Sequence, residues 1–143
     1  MSEDQFSVKT ATQLAIFMAN RPGSLAQACA ALADAGINID ALATEGDIFG
    51  SQGGEMVVRM VVSDPGKAAT VLAEEGAVAV KTDVLLIEGG NKPGMLATIT
   101  ERLATGDVNI ESVYLSAGAD ATRCVVILRP SDVEKAQRLL RDL

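Results

Sequence analysis

The sequence contains no histidine and no tryptophan, a single tyrosine and two cysteines. Without histidine the chain lacks the commonest general base and the commonest metal ligand, and no Ser-His or Cys-His dyad can form. Cys29 and Cys124 are too few for a disulfide framework or a cysteine-held zinc. Cys29 falls at helical spacing with Leu25 and Leu32, and Cys124 alternates with Val126 and Leu128, so both read as buried thiols. Positive charge is scarce as well: 12 Lys and Arg stand against 19 Asp and Glu, a net charge of −7. Such a surface repels phosphate backbones and anionic headgroups, so neither nucleic acid nor a membrane is an expected partner. No apolar run approaches the roughly 20 residues of a membrane-spanning helix. The opening MSEDQFSVKT also lacks the apolar stretch of a signal peptide. The expectation is a cytoplasmic protein that is not an enzyme and uses no cofactor and no metal.

What the sequence does have is an internal repeat, the feature that decides architecture when present. Residues 20–42, NRPGSLAQACAALADAGINIDAL, match residues 91–113, NKPGMLATITERLATGDVNIESV, without a gap. Asn20, Pro22, Gly23, Leu25, Ala26, Leu32, Ala33, Asn38 and Ile39 coincide with Asn91, Pro93, Gly94, Leu96, Ala97, Leu103, Ala104, Asn109 and Ile110. The matches sit half a chain apart. Two modules follow, residues 1–82 with an N-terminal strand and residues 83–143.

Within the first module, TQLAIFMAN reads as a buried strand and Pro22-Gly23 opens a helix whose apolar face carries Leu25, Ala28, Cys29 and Leu32. Gly36 supplies its stop. Ile37–Ala43 and Glu55–Val62 are strands, a second helix starts after the Asp64 cap, and Ala77–Val80 is a fourth strand. The second module repeats the order: a strand over Val84–Glu88, a helix from Pro93 to Thr105, strands over Val108–Ser116 and Thr122–Arg129, and a helix capped by Ser131 or Asp132. Both modules are α+β, ferredoxin-like βαββαβ units with helices on one face of an antiparallel sheet. The second lacks its own fourth strand. Val8-Lys9-Thr10 precedes the first module as Val80-Lys81-Thr82 precedes the second, so Phe6–Thr10 is a candidate for the missing strand.

The pattern N-[RK]-P-G-x-L-A, an apolar-faced helix and then [IV]-N-I resembles the ACT domain, a small-molecule-sensing module, in two tandem copies over the whole chain. The resemblance implies a regulatory protein that binds a small effector, most often an amino acid, at an interface between ACT copies. The alternative to such a sensor is a regulatory subunit acting in trans on an amino-acid biosynthetic enzyme; a homodimer is expected separately, from the sheet faces. Carried over by position, the ligand-binding residues are Asn20, Pro22, Gly23, Ser24 and Leu25 with Ile37, Asn38 and Ile39. In the second copy they are Asn91, Pro93, Gly94, Met95 and Leu96 with Val108, Asn109 and Ile110.

Physical chemistry makes the same turns plausible on its own. A helix N-terminus presents unpaired N–H groups to a carboxylate, and glycine lets a ligand approach the backbone. Either Asn20 or Asn91 alone could simply cap its turn, but their recurrence at one shared position favours binding. The run Gly89-Gly90-Asn91-Lys92-Pro93-Gly94 is not a phosphate loop, because it lacks the Gly-Lys-Ser/Thr ending and Pro93 removes an N–H. Glu45 and Asp47 read as a solvated loop, and Met18, Met56 and Met60 as core filler. In EMVVRMVV and TRCVVILR both faces are apolar. Val57, Val61, Val125 and Ile127 are therefore expected on an open sheet face covered by a second subunit.

Overall fold

The computed structural model describes residues 6–46, 54–119 and 121–141. It holds strands β1 (Ser7–Ala19), β2 (Ile39–Glu45), β3 (Glu55–Val62), β4 (Val78–Gly90), β5 (Ile110–Ser116) and β6 (Arg123–Pro130). The helices are α1 (Ser24–Asp34), α2 (Pro65–Glu74), α3 (Met95–Thr105) and α4 (Val133–Arg141). Asp47 and most of the Gly-rich loop lie outside the described residues.

The chain divides into two compact units. One is residues 12–82; the other joins the N-terminal stretch up to Ala11 to residues 83–143. In the first unit the strand order is β2-β3-β1-β4, and in the second it is β1-β4-β6-β5. Each is the ferredoxin-like order, and the pairs β1–β3, β2–β3, β4–β6 and β5–β6 are antiparallel. Strands β1 and β4, 13 residues each, run through both units. Phe6 and Val8 pack on the core of the second unit, so the N-terminal part of β1 supplies the strand that the second module lacks, as expected of Phe6–Thr10.

The cores follow from periodicity. Leu14 and Ile16 alternate on β1, Val58 and Met60 on β3, and these meet Ala28 and Leu32 of α1 and Ala68 and Leu72 of α2. In the second unit Leu85 and Ile87, Val126 and Leu128 meet Ile99 and Leu103 of α3 and Ala136 and Leu140 of α4. Asp64 accepts from the Lys67 N–H at 3.0 Å and Asp132 from the Lys135 N–H at 3.0 Å, each capping its helix.

Two expectations change. The helices begin at Ser24 and Met95, not at the prolines. Gly23 and Gly94 take left-handed φ of 93° and 92° as their N-caps, which places Pro22 and Pro93 in the turn before them. On the sheet, Val61 is 6% exposed and Ile127 2% exposed within the single chain, and only Val57 and Val125 are half-exposed. Covering Val61 and Ile127 requires no second subunit. Among the described residues the exposed large apolar side chains are instead Phe17 on β1, Val78 and Val80 on β4, and Val113 and Leu115 on β5.

Candidate functional site

The repeated Asn-x-Pro-Gly segments fold into the same turn twice. The Asn20 N–H donates to Gly54 O at 2.8 Å, the Arg21 N–H to Ala19 O at 3.0 Å, and the Ser24 N–H to Arg21 O at 3.3 Å. In the second copy the Asn91 N–H donates to Thr122 O at 2.9 Å, the Lys92 N–H to Gly90 O at 3.0 Å and the Met95 N–H to Lys92 O at 3.3 Å. The left-handed Gly23 and Gly94 then start the helices, and no side chain caps either. Leaving the first N–H groups without a side-chain acceptor is what makes a turn of this kind able to receive an anion.

The two asparagine amides differ. Asn91 Nδ2 donates to Ala121 O at 3.0 Å and ties the turn to the β5–β6 connection. The Asn20 amide lies against Gly46, where a Cβ would come within 2.9 Å of Nδ2. Leu25 and Leu96 are half-buried and pack on their cores, while Pro22 and Pro93 are exposed.

The other half of the expected site lies elsewhere. The Asn38 N–H donates to Ser63 Oγ at 3.0 Å, and the Ser63 N–H returns to Asn38 O at 2.9 Å. Asn109 and Ser131 make the same reciprocal pair at 2.9 and 2.8 Å. Each asparagine amide reaches an acid two residues on, Asp40 at 2.8 Å and Glu111 at 3.4 Å. These bonds clamp the start of β2 to the end of β3, and the start of β5 to the end of β6. Ile37 and Val108 are buried core residues, and Ile39 and Ile110 pack on the cores. The turn at Asn20 adjoins the other end of β2, beside Gly46. Seven residues of strand separate the two groups, roughly 20 Å at the usual rise. One copy does not bring them together.

Ser63 and Ser131 are absent from the sequence-derived site, yet a signal for them exists. Ser-Asp recurs at 63–64 and 131–132, three residues short of the repeat offset because the loop of the first copy is longer.

The turns also differ in what fills the space behind them. Ser24 in the first copy corresponds to Met95 in the second. Met95 is buried, its sulfur 3.6 Å from Cys124 Sγ, and its Cε together with the Phe6 ring occupies the place a side chain on Gly89 would take. Gly89 is glycine because its Cβ would lie 2.8 Å from Phe6 and 2.9 Å from Met95. In the first copy that corner is a cavity of about 230 Å³ lined by β1, α1, α2 and the residues after α2.

Among known proteins, a family model described as an ACT domain pair matches residues 9–142. No curated protein sequence matches the chain. Of solved structures, protein BT0572 from Bacteroides thetaiotaomicron is similar with 32% identity and a TM-score of 0.84, over 94% of this chain and 89% of that one. The regulatory subunit of aspartate kinase from Thermus thermophilus, in a ligand-free form, superposes with a TM-score of 0.68 at 20% identity, over 98% and 95%. Aspartate kinase from Synechocystis does so with 0.61 at 21% identity, over 95% of this chain and 26% of that one.

Proposed function

Because the chain belongs to the ACT domain pair family, we propose that it is a non-catalytic regulatory protein that binds a small effector, an amino acid in first place, between ACT copies. The observation that carries this reading is the placement of the two residue groups. Each copy presents an uncapped, glycine-opened turn at one end of its outermost strand and an Asn-Ile start at the other. A ligand touching both groups bridges two copies, and two outermost strands lying antiparallel would set the turn of one against the strand start of the other. Among the described residues, strands β2 and β5 are the outermost, each with one hydrogen-bonded neighbour, which leaves an edge able to pair in this way. Binding would then act by linkage, favouring the assembly in which the bridge exists.

A thermal-shift screen against the twenty amino acids tests it, since a ligand that binds only the folded state raises the melting temperature. At least one amino acid should do so, with Gly23→Val or Gly94→Val removing the shift. A flat response to all twenty contradicts the reading.

A second reading is a regulatory subunit that acts in trans on an amino-acid biosynthetic enzyme. It is supported by the Thermus thermophilus structure, a regulatory subunit nearly matched end to end by this chain. Retrieval of a large catalytic protein at fixed stoichiometry favours this role over a stand-alone sensor.

A further inference from the structure

The cavity in residues 12–82 shares the start of α1 with the bridge between copies but lies behind the turn and involves neither strand start, and its chemistry is bipolar. Met18, Ala28 and Leu72 form an apolar floor, with the end of β1 at Phe17 and Ala19 along one edge. On one side of the mouth stand Arg21 and Ser24, and on the other Glu75.

The helices explain why these groups face one another. Gln27 Nε2 donates to Glu75 Oε2 at 3.2 Å, and Lys67 Nζ donates to Ala35 O at 2.8 Å. The start of α1 therefore meets the end of α2, and the start of α2 meets the end of α1. The cavity lies between a helix start with no acidic residue in its first turn and a helix end with no basic residue in its last. Glu74 and Glu75 at that end are placed against the local helix dipole, an arrangement that a bound cationic group relieves. The second copy has the same kind of helix start but differs in the space behind it and in the helix end. Its space is filled by Met95 and Phe6, and the last turn of α4 carries Arg138 and Arg141.

We infer that this cavity is a ligand site of its own, present in the first copy only, for a single free amino acid with a small aliphatic side chain. The carboxylate is received by Arg21, Ser24 and the start of α1, the ammonium by Glu75, and the side chain by Met18, Ala28 and Leu72. A volume of about 230 Å³ is below the 300–1,000 Å³ common for drug-sized ligands and suits a small amino acid better than a nucleotide. No second subunit contributes a residue. The inference goes beyond the bridge between copies and stands without it.

Methyl-resolved NMR on the full chain tests it, with the Met18 and Leu72 methyl signals reporting the cavity and those of Ile39 and Ile110 the strand starts. Each of the twenty amino acids is titrated singly into the wild type, Ser24→Met and Glu75→Gln. At least one aliphatic amino acid should move the Met18 and Leu72 signals to saturation. Ser24→Met should abolish that movement while still folding, since the second copy already carries methionine at this place. Glu75→Gln, a surface change, should weaken binding roughly tenfold or more by loss of a charged partner. Still signals at Met18 and Leu72 for all twenty, or wild-type binding by Ser24→Met, overturns the inference. Movement confined to Ile39 and Ile110 overturns the cavity and upholds the bridge; movement confined to Met18 and Leu72 does the reverse.

Discussion

The two copies place the same turn over different interiors. In residues 12–82, Ser24 opens α1 over a cavity floored by Met18 and Leu72. In the second unit, Met95 opens α3 and turns inward against Cys124, while Phe6, from the far end of the chain, seals the rest. Gly89 stands where the first copy has Met18, and the exchange of a small and a large residue at two positions keeps both interiors compatible with one backbone. A repeat therefore preserves its turn, its strand clamps and its helix faces while the space behind the turn diverges. Equivalence in sequence is not equivalence in binding.

The largest test of that contrast exchanges the two helix-opening residues. Met95→Ser should cost about 2–5 kcal/mol of stability in a urea titration, as a buried methionine leaves a void. Ser24→Met should change stability by less than about 1 kcal/mol, because its side chain enters space already open. Equal costs would mean the corners are packed alike.

Next is Phe6→Ala. A fully buried phenylalanine costs about 3–5 kcal/mol on truncation, and the half-buried Phe6 should cost about half of that. Amide hydrogen exchange should locate the loss in residues 83–141, with residues 12–82 keeping their protection. A loss centred on the first unit would remove Phe6 from the second core.

A smaller effect separates the helix ends. Gly36 and Asp107 are equivalent in the repeat, and both are left-handed, with φ of 73° and 60°. Gly36→Asp should destabilise by about 1–2 kcal/mol, and Asp107→Gly should be neutral or stabilising by less than about 1 kcal/mol. The smallest test is a symmetric one: Ser63→Ala and Ser131→Ala should each cost about 1 kcal/mol, since each removes the same bond to an asparagine N–H. Unequal losses would show that the clamps, too, have diverged.

The fold was legible in the sequence because apolar periodicity and the repeat speak to it directly. The strand over Glu55–Val62 and the Asp64 and Asp132 caps stand where pattern and capping chemistry place them. Helix starts were less legible, since Pro22 and Pro93 suit both a first helical turn and the turn before an N-cap. The residue at the end of α3 was harder still. Gly106 looks like a left-handed stop, but it has an ordinary φ of −85°, and Asp107 takes the left-handed conformation. Gly106 is glycine because the Leu139 side chain stands where its Cβ would be. That reason lies in packing between distant residues, which periodicity cannot carry.

The site was legible only in part for the same cause. The turns were visible as Asn-x-Pro-Gly, and the difference between Ser24 and Met95 was visible as a difference. That Asn38 and Asn109 clamp strands through Ser63 and Ser131, at the far end from the turns, depends on how β2 and β5 run. Gln27 and Glu75 lie 48 residues apart in sequence and share no motif. Only the antiparallel packing of α1 and α2 brings them to one cavity.

The central claim is that the first copy holds a ligand behind its turn and the second cannot. Peptide-resolved hydrogen exchange with a saturating amino acid, identified by the thermal-shift screen, compares the two corners in one sample. Protection should rise in peptides covering residues 17–28 and 72–78 and stay unchanged in those covering 88–99. Equal protection at 88–99, or protection there alone, would contradict the account.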